Sequence, residues 1–120
     1  MPSNVDIGLT DPWFIGASRR FTIPITDADG NAKTVTGSSV ASWRLTDIAP
    51  SAGTPTTLIS KTLGSGVTLS GASEVTIEVD EADSADLTPG DYYHEFRLVD
   101  AASDTDTTTY GTVRLKGSAF

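Results

Sequence analysis

His94 carries the only imidazole in this chain of 120 residues, which contains no cysteine. A lone histidine cannot form the pair of imidazole ligands common in metal sites. The lack of thiols excludes disulfides, cysteine nucleophiles and cysteine-type zinc sites. His94 also falls on the same side of an alternating segment as Tyr92 and Phe96. We therefore interpret it as a hydrogen-bonded histidine at the edge of the core rather than as a catalytic base.

Carboxylates are the other groups that could do chemistry, and two turn-like stretches are rich in them, Asp27–Asn31 and Asp100–Asp106. The first has Ser38 where a calcium loop carries its last glutamate, so we interpret it as a hairpin turn. The second is interpreted as a polar loop, with a weak calcium site as the open alternative. The sequence holds no phosphate-binding loop, dinucleotide fingerprint or zinc-protease motif. We predict a protein that is not an enzyme, with no catalytic residue, no cofactor and no metal site.

The charge balance and the hydropathy of the chain limit the kinds of partner that we expect. Sixteen acidic residues against eight basic ones give a net charge of −8 and a pI near 4.3. Because phosphate backbones are bound mainly by lysine and arginine, we expect no nucleic-acid partner. No apolar run approaches the ~18 residues of a membrane span, and the first residues lack the basic and apolar regions of a signal peptide. We therefore expect no membrane partner.

The elements that must position these residues are strands. The chain holds 18 threonines and 13 serines, and threonine suits the half-solvated face of a strand. Pro24 cannot donate to a ladder, so its strand is predicted at a sheet edge or at a bulge. One helical turn is predicted at Glu81–Ala85. Alternation of apolar and polar residues predicts seven strands, at Arg20–Thr26, Val40–Asp47, Thr56–Thr62, Val67–Ser70, Glu74–Asp80, Asp91–Val99 and Thr107–Lys116.

About seven strands separated by turn signals predict an all-β fold, an immunoglobulin-like antiparallel β-sandwich. The segment before the longest strand is typical of the corner found in such folds. Leu87 would close the bottom of the core, Pro89-Gly90 would turn the chain, and the hydroxyl of Tyr92 or Tyr93 would bond back to the backbone. We predict an N-terminal arm at 1–17, the sandwich at 18–117 and a short tail at 118–120.

The arm contains an apolar cluster, Trp13, Phe14 and Ile15. Two interpretations stay open for it. The arm folds back over the open end of the sandwich, or it docks this cluster onto a neighbouring subunit, because exposed apolar patches usually mark interfaces.

The order of features over about residues 18–116 resembles the small immunoglobulin-like modules of tailed-phage structural proteins, notably the amino-terminal domain of baseplate upper proteins. The residues that carry the resemblance are the Asp29-Gly30 turn, the Thr36-Gly37 step, Gly90-Asp91-Tyr92 at the start of the longest strand, and Gly111–Leu115 in the last strand. Baseplate proteins continue into further domains, whereas this chain ends after the module. The resemblance implies no catalytic residues.

The resemblance implies a non-enzymatic structural protein of the virion of a tailed virus, an accessory component of the capsid, the head–tail junction or the tail. Its expected partners are other virion proteins (capsid, connector or tail subunits), and we expect a homo-oligomer in the assembled particle. The alternative is an adhesion module that binds glycans through Tyr93, Tyr110 and Trp43. That alternative has a weak platform, because alternation turns Trp43 inward.

Overall fold

The computed structural model of the protein describes residues 3–9, 12–26, 31–36, 40–99 and 105–117. The fold is all-β, as predicted, with one sheet that is nearly closed into a barrel. A single helical turn, α1 (Glu81–Ser84), and a 3-10 turn at Pro50–Ala52 are the helical elements among these residues. The strands are β1 (Ser3–Asn4), β2 (Trp13–Phe14), β3 (Arg19–Pro24), β4 (Val40–Thr46), β5 (Thr57–Leu63), β6 (Gly66–Gly71), β7 (Glu74–Val79), β8 (Gly90–Val99) and β9 (Thr105–Lys116).

All seven predicted strands are present, from β3 to β9, because the period-2 pattern in each matches one buried face. The strands follow the order β1-β9-β8-β4-β5-β6-β7-β3, and β2 also pairs with β9. The paired region between β5 and β6 is short: Thr62 lies opposite Gly66, and Leu63 lies opposite Val67. As predicted from Pro24, β3 ends this order and is an edge strand.

The core lies between the inward faces of these strands. Large side chains fill it, and they alternate with exposed residues as the sequence predicts. Phe21 of β3 meets the indole of Trp43 of β4 edge-on, with ring centroids 5.5 Å apart and an interplanar angle of 68°. The residues with 1% exposure or less include Trp13, Ile23, Ile25, Trp43, Leu45, Val75, Ile77, Phe96, Leu98, Val113 and Leu115.

The N-terminal segment (residues 3–9 and 12–15) adds to the sheet in parallel to β9. Asn4 lies opposite Tyr110, Ile7 opposite Val113 and Trp13 opposite Leu115. The amides of Val5, Ile7 and Ile15 donate to carbonyls of β9 at 2.9 Å each. The two additional strands thus arise in the region predicted as an arm, and here the chain forms part of the sheet.

Candidate functional site

His94 lies in the interior with 0% of its surface exposed. The indole Nε1 of Trp43 donates to its Nδ1 at 3.0 Å. Its Nε2 lies 2.5 Å from the carbonyl oxygen of Val5. Since an indole N–H can only donate and a carbonyl can only accept, the ring holds its proton on Nε2 and is neutral. Both ring nitrogens are therefore satisfied by fixed partners.

Gly111 is what allows His94 to reach Val5. His94 of β8 lies directly opposite Gly111 of β9. Val5 belongs to the N-terminal segment, which pairs with the other side of β9. A Cβ atom on Gly111 would lie 2.1 Å from the carbonyl oxygen of Val5, a distance no side chain tolerates. The missing side chain therefore leaves the passage through which the imidazole bonds to the N-terminal segment.

The same position interrupts the parallel ladder. The amide of Thr112 is bonded by the side chain of Asp6, whose Oδ1 lies 2.9 Å away. The carbonyl of Val5 is bonded by His94 instead. Beyond the interruption the ladder continues, because Ile7 donates to Thr112 and Arg114 donates to Ile7. Two side chains thus replace one main-chain hydrogen bond at this place.

Burial lowers the pKa of His94 below its ordinary value, although the Val5 hydrogen bond and the charges of Asp6 and Glu95 oppose this effect. A protonated ring would place a second donor against the Trp43 indole. The imidazole therefore holds the interior together and offers no nitrogen to a substrate. This placement matches our interpretation of His94 as a hydrogen-bonded core histidine.

The predicted corner residues lie together at the start of β8. The hydroxyl of Tyr92 donates to the carbonyl of Thr88 at 2.5 Å, four residues earlier in the chain. Leu87 is half-buried and packs against the core, and Gly90 has a φ of 152°, in a region that favours glycine. Pro89 is exposed. Tyr93 points to the opposite side of the strand and takes no part in this contact.

The predicted arm cluster is divided between core and surface. Trp13 is 1% exposed, and its indole Nε1 donates to the carbonyl of Ala17 at 3.3 Å. Ile15 packs partly buried against the core, and Phe14 is half-buried. Pairing of β2 with β9 turns the indole of Trp13 into the protein's own core, and docking of the cluster onto a neighbouring subunit stays a prediction.

The calcium alternatives lie largely outside the described residues. Positions 27–30 and 100–104 are not described, nor is the side chain of Asp106. Among the residues that are described, no group of three histidine, cysteine or acidic side chains could hold a metal ion.

Charged, hydroxyl and aromatic side chains lie together on the solvent side of four neighbouring strands of the sheet. Strand register brings Ser60, Arg44, Glu95 and Tyr110 into one row across β5, β4, β8 and β9. The flanking rows place Arg97 beside Ser42 and Tyr93 beside Thr112. We call this surface the outer face; its residues are Ser42, Arg44, Ser60, Tyr93, Glu95, Arg97, Tyr110 and Thr112.

An ion pair lies at the centre of the outer face. Arg44 Nε donates to Glu95 Oε1 at 2.5 Å, and the side chain of Glu95 is 12% exposed. Tyr93 lies beside them, and burial, with the charge of Glu95, raises the pKa of its hydroxyl. Tyr110, opposite Glu95 on β9, is 37% exposed. Glu95 is thus partly desolvated, whereas Tyr110 is open to solvent.

A groove of about 200 Å³ lies beside this ion pair, lined by Ser42, Trp43, Arg44, Ser60, Glu95 and Arg97. Arg97 is exposed, and no carboxylate among the described residues forms an ion pair with it. Ion pairs with acids within the described part of the chain include those of Arg20, Arg44, Lys61 and Arg114.

Sequence reasoning named Tyr93 and Tyr110 as candidate glycan contacts, but it did not find the groove or the Arg44–Glu95 pair of the outer face. Alternation does assign Tyr93, Glu95 and Arg97 to one side of their strand. It does not say which strand lies next to β8, nor in which register, and the groove depends on both. The sequence signal that was available is the presence of Arg44 and Glu95 at outward positions of two strong strand patterns.

No helix among the described residues has the length and apolar character needed to cross a membrane. In comparisons with known proteins, no protein-family model matches this chain, and no curated protein matches its sequence.

Proposed function

We propose that the sheet is an immunoglobulin-like sandwich. Three observations support this arrangement. Because β5 and β6 pair over a short region, the strand order falls into two groups, β6-β7-β3 and β5-β4-β8-β9. These groups match the two layers of such folds. Phe21 and Trp43 bring one strand of each group into contact across the core. Tyr92 bonds back to Thr88 at the start of β8, where the fold carries its tyrosine corner.

We further propose that the protein is a non-enzymatic structural component of a tailed-virus particle, where it binds other virion proteins. The observation that carries an assembly role is the composition of the outer face. Tyrosine and arginine are enriched at protein interfaces, and this face presents Tyr93, Tyr110, Arg44 and Arg97 on regular strands. The virion as the location rests on the resemblance to phage modules.

We propose the outer face instead of the arm as the contact surface, because Trp13 is buried in the protein's own core. The edge of β3 is a poorer candidate. Ile25 donates to Ser73 at 2.8 Å, so by alternation the main-chain groups of Arg20, Thr22 and Pro24 point away from β7. Pro24 has no N–H to offer an added strand there, which blunts the edge.

A glycan-binding module is the second candidate. One observation favours it: Tyr93 and Tyr110 lie on the same face of adjacent strands, two residue pairs apart in register. Two neighbouring aromatic rings can stack on a sugar. Trp43, the third residue suggested for this role, is 0% exposed and contributes nothing to such a platform.

Particle association tests the proposal. Virus particles purified from the source culture are analysed by mass spectrometry, and the protein is located on them by immunoelectron microscopy. We expect the protein to remain on particles after density-gradient purification, and a Tyr110→Ser variant supplied in trans to bind them less. Absence of the wild-type protein from purified particles would overturn the virion role. Specific binding on a glycan array would favour the second candidate.

A further inference from the structure

The groove on the outer face has an unbalanced charge. Glu95 is held by Arg44 at 2.5 Å, so these two charges cancel locally. Arg97, on the next row, faces Ser42 across the strand pair and has no acid partner among the described residues. Counted over the described residues that line it, the groove keeps one net positive charge, on a protein whose total charge is −8.

The donors around the groove fit a carboxylate. A guanidinium offers a planar fork of N–H donors that matches the two oxygens of a carboxylate. The hydroxyls of Ser42 and Ser60 line the same groove and can also donate. A polyanion fits poorly, because Arg97, the one cation without an acid partner among the described residues of the groove, cannot offset several phosphates on a strongly acidic protein.

The surroundings of the groove are those of a protein contact. Trp43 forms part of its floor but is fully buried, so the floor is fixed by core packing. Arg44 and Glu95 form a wall that is held by their own ion pair. Tyr110, opposite Glu95 on β9, is 37% exposed, and a partner's apolar side chain can cover it.

We propose that this groove docks a peptide segment of a partner protein through one aspartate or glutamate side chain, whose carboxylate binds Arg97 beside Ser42 and Ser60. The proposal rests on the assembly role proposed above and adds the chemistry of the partner. The segment carries a single acid among neutral residues, because further acids would be repelled by the protein's net charge.

The direct test uses N-acetyl-glutamate amide as the probe, with N-acetyl-glutamine amide as its uncharged match. Each is titrated into the isotope-labelled protein at equal ionic strength, and NMR shifts are followed at the Arg97 side-chain N–H and at the Ser42 and Ser60 amides. We expect saturable shifts, with a millimolar dissociation constant, from the glutamate probe and no saturation from the glutamine probe. Equal responses to both probes would overturn the proposal.

Matched variants locate the effect. Arg97→Gln should weaken binding of the glutamate probe at least fivefold. Lys116→Gln removes the same charge at the far end of β9 and should leave binding unchanged. Equal weakening by both variants would mean that only the net charge matters, which would contradict a site at Arg97. Tighter saturable binding of glucuronate than of the glutamate probe would instead indicate an acidic sugar.

Two further outcomes separate this proposal from the one it rests on. Light scattering of the free protein tests for a second copy as the occupant. A dimer that is lost in Arg97→Gln but kept in Lys116→Gln would replace the partner segment by a copy of this chain. If wild-type protein is absent from particles while the groove still binds the probe, the virion role fails and the groove stands. If the wild type and Arg97→Gln bind particles equally, and the probe does not bind, the groove alone fails.

Discussion

The polar side chains on the two sides of β8 differ in how completely they are paired. On the inner side, His94 lies between Phe96 and Tyr92, and each of its ring nitrogens has one fixed partner. On the outer side, Glu95 is bonded by Arg44, whereas Arg97 has no acid partner among the described residues. Buried polar groups that are fully satisfied define one arrangement of the chain. A donor such as Arg97, exposed and without an acid partner in the described part of the chain, is available for the binding proposed above, so one strand carries both the fixed core contacts and the proposed site.

The largest effect is expected at Gly111, where the inner arrangement depends on a missing side chain. Gly111→Ala places a Cβ atom 2.1 Å from the Val5 oxygen, so the N-terminal segment must move away from β9 and His94 loses a partner. We expect a loss of about 3 kcal/mol in the free energy of unfolding, measured in urea.

Gly117→Ala is the matched control for this change. A Cβ atom there would lie 3.7 Å from the side chain of Pro89, an ordinary contact. We expect it to shift the free energy of unfolding by less than about 0.5 kcal/mol. Equal losses in both variants would show that Gly111 has no special role in the close approach of the two segments.

The next effect is expected from Trp43→Phe, which removes the indole donor and leaves Nδ1 of His94 buried without a partner. The unsatisfied nitrogen and the smaller ring should together cost about 2 kcal/mol of unfolding free energy. The Trp43→Phe and His94→Gln variants should be strongly non-additive in a double-mutant cycle, because both break the same hydrogen bond. Additive losses would contradict a shared bond.

The inner side should also make stability depend on pH. The pKa of His94 is lowered in the folded protein, so the unfolded chain binds the proton more readily. Stability is therefore fully present above the ordinary histidine pKa, about 6.5. It is lost as the pH falls below that value toward the folded pKa, with a limiting slope of about 1.4 kcal/mol per pH unit. Urea unfolding between pH 7 and 5 measures this slope.

His94→Gln should abolish the slope in that interval, since the other shifted acids titrate lower. The pKa of Asp91 is lowered by its hydrogen bond with Arg114. Burial raises the pKa of Asp83, but the hydrogen bond and charge of Lys61 outweigh it and lower the value overall. Their contributions are present above the ordinary aspartate pKa and are lost only as the pH falls from about 4. A slope between pH 7 and 5 that survives in His94→Gln would contradict this assignment.

Tyr92→Phe should have a smaller effect, because it removes one hydroxyl that is bonded to the Thr88 carbonyl. We expect a loss of about 1 kcal/mol in the free energy of unfolding. Tyr93→Phe removes a hydroxyl from the outer side of the same strand and serves as the control, with a loss below about 0.5 kcal/mol. A reversed order of the two losses would mean that the corner hydroxyl belongs to Tyr93.

The smallest effects on stability are expected on the outer side. Glu95→Gln weakens the ion pair with Arg44, and we expect a cost of about 0.5 kcal/mol. Arg97→Gln should leave the free energy of unfolding unchanged within error, because Arg97 has no acid partner among the described residues. Loss of stability in Arg97→Gln, measured by thermal unfolding, would show that its charge serves the fold and would remove the contrast between the two sides.

Much of the fold follows from local sequence. The strands from β3 to β9 were predictable because each carries a period-2 pattern with one apolar face, and Pro24 marks the edge strand. The corner was predictable as a motif, but the choice between Tyr92 and Tyr93 depends on which face of β8 is buried. The sequence pattern fixes that choice only when His94 and Phe96 are taken as inward.

The parts that were not predictable depend on contacts between distant positions. The N-terminal segment pairs in parallel with β9 and has no clean alternation, so its local sequence does not specify its place in the sheet. Gly8 and Gly111 are the sequence traces of this close approach, since a Cβ on either would strike the opposing backbone. The groove needs the lateral order of β5, β4 and β8, which no local pattern specifies.

The parallel addition of the N-terminal segment has a consequence for how the chain folds during synthesis. The bond between Asp6 and Thr112 spans 106 positions, and the bond between His94 and Val5 spans 89. Residues 3–9 are synthesised long before β9, the strand that receives them. Contacts between residues so far apart in the sequence form slowly. Until β9 emerges, the N-terminal segment has no strand to pair with and His94 lacks its carbonyl partner, so completion of the core waits for the synthesis of β9.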